Sequence, residues 1–256
     1  MWPRVTEQRP FVAVLVTLIV LAWCALWLWG QSPYGRFLGH HQLAAVRGGG
    51  VLVLVFVAGW TLMTIAMMLP TSIPLVALFH TMVRRRTDAT RLVLLVIAGY
   101  LCIWALFGLA VYLADWGLHE AIEGIRWLET NAWLIGAATL ILAGLYQFTP
   151  LKYHCLDKCR SPLMFIMEHW QGSRERAQAF RLGVRHGIFC VGCCWSLMLL
   201  MFAVGVGNLG WMLALGAVMA IEKNMPWGRK LSAPLGGMLL TWGLLLGLSA
   251  TGIRAF

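Results

Sequence analysis

The sequence predicts an all-α fold: a polytopic bundle of about seven transmembrane helices, with the N-terminus inside and the C-terminus outside. Three observations carry this. Of 256 residues, 60% are hydrophobic and only 12% charged, against about 45–50% apolar and about 25% charged in a soluble domain. Seven apolar segments recur, at residues 11–29, 51–69, 92–113, 132–149, 188–206, 211–221 and 235–253. Lys and Arg then alternate in density between successive connections. The presumed inner segments carry two (Arg4, Arg9), four (Arg84, Arg85, Arg86, Arg91), seven (Lys152 to Arg185) and three (Lys223, Arg229, Lys230). The outer ones carry two, one, none and one, and the third connection is acidic, with Asp115, Glu120, Glu123 and Glu129. The positive-inside rule orients the chain accordingly. It also accounts for the net charge of +10 without nucleic acid. The partner this composition implies is the lipid bilayer, and the place a cell inner membrane.

The first segment follows Arg4 and Arg9 and ends in W-L-W-G. Signal-peptide apolar regions run about 7–15 residues and end in small residues, so a retained helix is expected. Five of the seven segments approach the ~20 residues that cross a bilayer, while the fourth and sixth are short. None alternates as a barrel strand would, which leaves helices. Pro70 and Pro74 remove backbone donors near the inner end of the second span and are expected to break or kink it. The whole chain, 1–256, reads as one integral membrane domain whose long cytoplasmic loop covers 150–187. In that loop Ser161-Pro162 is a helix start. Leu163, Ile166, Met167 and Trp170 follow as an amphipathic stripe. Beyond Gly172, Arg174, Gln178, Arg181 and Arg185 share a face. Both pieces are expected at the membrane interface, Arg toward headgroups. His80 and His169 read as interfacial residues, and His40, His41 and His119 as outer surface ones.

The chemistry gathers at the inner lip. Cys190, Cys193 and Cys194 fall within five positions, and His186, Cys190, Cys194 and Met198 repeat every four residues. Residues three or four apart share a helix face. Imidazole, thiol, thiol and thioether on one stripe suit a soft ion such as Cu(I). Cys190 and Cys193 also have C-x-x-C redox spacing, and small cysteines can simply fill space. Cys24 and Cys102, alone in their spans, read as packing. After the fourth span, Cys155 and Cys159 stand four apart with His154 adjacent. Disulfides are rare in a reducing compartment, so this pair points to metal or redox chemistry. Zinc, wanting four ligands, could draw on Cys155, Cys159 and two thiols of the fifth span. Glu222 is the acid expected within a span, where charge is costly and usually functional. The bland reading pairs it with Lys223. At 1.5 Å per residue, Cys190 and Glu222 lie ~22 and ~21 Å inward from the outer turn, Gln147 ~21 Å from Trp133 and Met67 ~24 Å from Val51. Four helices thus deliver Cys190, Glu222, Gln147 and Met67 to about one depth.

The segments A-M-M-L-P-T-S-I-P-L, A-G-L-Y-Q-F-T-P-L-K, H-C-L-D-K-C-R-S-P-L, G-V-R-H-G-I-F-C-V-G-C-C-W-S-L-M and M-A-I-E-K together resemble one family. It is the bacterial family of metal-binding integral membrane proteins often labelled copper chaperone, and the likeness spans residues 59–243. By position, the resemblance picks out Met67, Met68, Pro70, Pro74, Tyr146, Gln147, Pro150, Cys155, Cys159, His186, Cys190, Cys193, Cys194, Trp195, Met198 and Glu222. The metal label rests on the same Cys, His and Met side chains.

Three functions follow. The first is a membrane protein that binds a soft metal, copper before zinc, and passes it to a membrane or extracytoplasmic metalloprotein. The candidate ligands are Cys190, Cys193, Cys194, Cys155, Cys159, His186, His154, Met198 and Met67, with Glu222 as ligand or charge balance. The second is an enzyme, a thiol oxidoreductase using Cys155/Cys159 and Cys190/Cys193. The third is a non-catalytic assembly factor or subunit of a larger complex. No hydrolase triad, nucleotide loop or P-type ATPase motif is present, which weighs against an enzyme.

Overall fold

The computed structural model describes residues 9–31, 50–124, 131, 133–172, 174–204 and 209–252. Arg4, His40, His41, Glu129 and the turn at Asn208 lie outside them. The described residues form ten α-helices and one short 3-10 turn. They are α1 (Arg9–Gln31), α2 (Gly50–Met67), α3 (Leu69–Val83), α4 (Ala89–Gly124), α5 (Trp133–Tyr146), α6 (Pro150–Arg160), α7 (Pro162–His169), α8 (Glu175–Val204), α9 (Leu209–Asn224) and α10 (Ser232–Gly252), with the 3-10 turn at Gly228–Leu231. The fold is all-helical, with no strand among the described residues.

Four stretches are long and apolar enough to cross a membrane: Phe11–Gln31, Ala89–Leu118, Glu175–Met201 and Gly228–Leu248. Two bent pairs, α2 with α3 (68°) and α5 with α6 (64°), raise the number to six if each is one span. The expected seven differs because segment 211–221 sits in α9, whose 16 residues reach only ~24 Å. Leu21, Leu54, Leu94, Leu106, Leu244 and Leu248 are exposed, while Thr64, Ser72, Gln147, Lys152, Glu222 and Lys223 are buried. Such a surface suits lipid contact and conceals its polar groups.

The bends have local causes. Proline at 70 has no amide hydrogen for the Ala66 carbonyl, which accepts instead from Trp23 Nε1 at 3.1 Å, and the Met68 carbonyl at the break takes Thr71 N (3.1 Å) and Oγ1 (2.7 Å). At the second bend, the Gln147, Phe148 and Thr149 amides tighten to i−3 carbonyls. Thr149 then caps α6, accepting from the Lys152 amide at 3.3 Å, with Pro150 in the first turn. At the expected start of α7, Ser161 occupies the cap position but its side chain makes no cap bond.

The region expected to be a cytoplasmic loop is almost wholly helical. The interfacial piece after Gly172 and the fifth span are one continuous helix, α8, because no proline interrupts 175–204. Phe165 and Ile166 of α7 are buried against α3, α4 and α8, whereas Leu163, Met164 and Met167 face outward. Helix α8 packs most extensively on α4. Glycines allow that closeness: a Cβ on Gly183 would stand 2.0 Å from the Val96 carbonyl, and one on Gly99 2.3 Å from that of Phe180. Small residues at helix crossings let backbones approach in this way.

Candidate functional site

Helix α8 runs through the middle of the core, and its spacing of four does place one stripe inward. His186, Cys190, Cys193, Cys194 and Met198 are all buried. Around them stand Met68 at the break between α2 and α3, α3 (Thr71, Ser72), α4 (Tyr100), α6 (Cys155, Cys159) and α9 (Glu222, Lys223).

The thiols form the first cluster. Cys193 Sγ lies 3.3 Å from Cys194 Sγ, 3.9 Å from Cys159 Sγ and 3.2 Å from the Cys190 carbonyl. All the cysteines are free. Cys190 Sγ, which also contacts Cys193 and Cys194, meets Lys223 Nζ at 2.9 Å and the Tyr100 hydroxyl at 3.1 Å. Lys223 Nζ also donates to Thr71 Oγ1 at 3.1 Å and approaches Met68 Sδ at 3.9 Å. An ammonium has three donors and no acceptor, and a buried one needs a compensating charge. Of these three partners only the Cys190 sulfur can carry it.

A second polar cluster adjoins the first. Lys152 Nζ bonds Glu222 Oε1 and Oε2 at 2.7 and 3.0 Å and also donates to Gln147 Oε1. Ser232 Oγ donates to Glu222 Oε1 at 2.7 Å, and Gln147 Nε2 reaches Ser196 Oγ at 3.4 Å. Lys152 and Glu222 have side-chain exposures of 0% and 1%. Arg160 donates to the carbonyls of Glu222 and Pro226, capping the end of α9 where a cation is favoured. Sequential neighbours Glu222 and Lys223 therefore serve different clusters.

The expected residues thus separate into groups. Cys159, Cys190, Cys193 and Cys194 come together. Cys155 is buried with its sulfur against Gly192, where a Cβ would come within 2.6 Å, and Tyr146 donates to the Gly192 carbonyl. His186 Nε2 meets Ser72 Oγ at 3.1 Å, while its Nδ1 is buried without a hydrogen-bond partner. Met198 lies in the core, and the Met67 side chain rests against Gly216. His154 is exposed, its ring 6.0 Å from that of Phe189. Glu222 is engaged by Lys152, not by Lys223. His80 stacks on Phe11 at 4.2 Å, and His169 Nδ1 lies 2.8 Å from the Phe165 carbonyl. Among the described residues, no group of three or more His, Cys, Asp or Glu is arranged to hold a metal ion. The four-ligand zinc site expected from sequence is not formed there.

Sequence reasoning missed Tyr100, Thr71, Ser72, Ser196, Ser232 and Lys152, and gave Lys223 the wrong partner. Both lysines had counted as inner-surface charge, yet both are buried. The M-A-I-E-K motif held part of the signal, since adjacent positions on a helix do not share a face and Glu222 and Lys223 must find separate partners.

The chain matches the family model described as PpoB2, copper chaperone, over residues 57–246. It belongs to that family. This match spans α2 to α10 and both polar clusters, and it supports a copper-related function for the copper chaperone family member described here. No curated protein and no solved structure matches the chain.

Proposed function

We propose that this protein is an inner-membrane carrier of Cu(I), lying N-in and C-out, that takes the ion at the cytoplasmic lip and delivers it to a membrane-bound or extracytoplasmic metalloprotein. The observation that carries this is the meeting of Cys193 with Cys159 of another helix at 3.9 Å and with Cys194 at 3.3 Å. Thiolates select Cu(I), and two sulfurs from different helices suffice for an ion that accepts few ligands. Zinc asks for four in a tetrahedron and has no such group among the described residues. The copper chaperone label of the family supports the choice of metal.

In this reading Cys159, Cys193 and Cys194 bind the ion, with the Cys190 sulfur beside them and held by Lys223. Cys155 holds the approach of α6 to α8. Glu222 balances Lys152 and keeps α6 in place, so it is outside the ligand set. His154, exposed beside Phe189, is outside it as well.

The test is a Cu(I) titration of reduced, detergent-solubilised protein against a chromophoric chelator. Wild type is expected to take up copper, and C193S and C159S to lose it. Unaltered uptake in C193S/C159S, or none in wild type, overturns the reading. A Cys159–Cys193 disulfide formed reversibly in cells would instead favour the thiol oxidoreductase, and function retained by the triple C190S/C193S/C194S would favour a structural subunit.

A further inference from the structure

The chain has thirteen methionines, and the described ones fall into two sets. Met82, Met164, Met167, Met225 and Met238 are exposed, while Met63, Met67, Met68, Met198, Met201, Met212 and Met219 are each at most 3% exposed. All seven of the buried set belong to the same contiguous core as Cys190, Cys193 and Cys194. They come from α2, α8 and α9, with Met68 at the break directly after α2.

Their depths follow from helix rise. Along α8, Cys194, Met198 and Met201 lie ~6, ~12 and ~16 Å beyond Cys190. Along α9, Met219 and Met212 lie ~6 and ~16 Å beyond Lys223, whose ammonium touches Cys190. On α2, Met63 lies ~7 Å beyond Met68, whose sulfur is 3.9 Å from that ammonium. Sulfur is therefore offered at every turn from the thiols to within a turn of the far ends of α8 and α9. One turn before the thiols, buried His186 presents its unpartnered Nδ1.

We infer that these methionines form a passage for a soft monovalent cation through the bundle, from His186 and the thiol cluster to the far ends of α8 and α9. Thioethers are weak, neutral, soft ligands, and their flexible stems let sulfur turn toward an ion. Neutral ligands bind the ion without trapping it, whereas conduction fails where binding is too tight to leave. Ordinary packing would be served equally by leucine, so the distinction is experimental. The inference rests on the proposed Cu(I) reading and makes this chain a transporter in place of a one-sided chaperone.

The experiment uses the full chain in sealed proteoliposomes, Cu(I) outside and an impermeant chromophoric Cu(I) chelator inside. The variant is M63L/M201L/M212L, a nearly volume-conserving change, with copper stoichiometry in detergent measured in parallel. Wild type is expected to pass copper inward, and the variant to bind the same stoichiometry but transfer about tenfold more slowly or worse, since leucine offers no soft ligand. A wild type that binds but does not transfer, or a variant that transfers at the wild-type rate, overturns the passage alone. If wild type binds no copper, the Cu(I) reading falls and the passage with it. Single M201L and M212L variants cover a triple variant that fails to fold; wild-type transfer in both overturns the passage.

Discussion

Replacing Lys152 by Met removes a fully buried ammonium that holds Glu222 by bonds of 2.7 and 3.0 Å and also serves Gln147. The Glu222 carboxylate, 1% exposed, is left with the Ser232 hydroxyl. Removing one partner of such a pair costs about 3–5 kcal/mol, because the remaining charge is buried without compensation. Against a typical total of about 5–15 kcal/mol, that is a large share. Removing both charges, as K152M/E222L, exchanges the pair for apolar packing, which is often neutral or stabilising. The double variant is therefore expected to be more stable than K152M alone. SDS titration in mixed micelles, followed through the fluorescence of the fourteen tryptophans, measures all four corners of the cycle. Should K152M be too unstable to recover, the double variant is expected to restore its membrane yield. Single-variant losses within about 0.5 kcal/mol, or a double variant as unstable as the two losses added, would refute the reasoning. Copper stoichiometry should be unchanged throughout, since neither group holds sulfur.

Other consequences are more local. Gly183→Val puts a branched side chain where a single Cβ already meets the Val96 carbonyl at 2.0 Å. It should separate α4 from α8 and cost about 2 kcal/mol or more in the same unfolding assay. Ser72→Ala takes away the partner of His186 Nε2, leaving both ring nitrogens unpaired; a loss of about 1–3 kcal/mol is expected, smaller for Ser72→Thr. For orientation, a cysteine introduced at Arg85, followed by peptide mass mapping, should resist an impermeant reagent in intact cells and react after permeabilisation. Labelling in intact cells would reverse the topology.

Much of the architecture was legible because lipid forces a narrow choice: apolar runs must be helices, and Pro70 must interrupt one. The inward stripe of α8 was legible for the same reason, since a period of four fixes which side chains share a face. Two things were not. The continuity of α8 through Gly183 and Gly187 was hidden because an amphipathic basic start and an apolar span look like separate elements until α4 is seen packed along both. The roles of Lys152 and Lys223 were hidden because a lysine near a span end ordinarily goes to the headgroups. Here Lys152 and Glu222 neutralise each other across α6 and α9, and Lys223 turns to Cys190. Depth arithmetic brought Gln147, Met67, Glu222 and Cys190 to one level, but only the packing shows that Lys152 takes Gln147 and Glu222, that Lys223 takes Cys190, and that Met67 rests against Gly216 instead.

The measurement that bears most directly on the central claim is copper K-edge X-ray absorption of the reduced, Cu(I)-loaded protein. A shell of sulfur alone, lost in C159S/C193S, is the result expected of an ion held between α6 and α8. A nitrogen and oxygen shell, or a sulfur shell that survives in C159S/C193S, would contradict it.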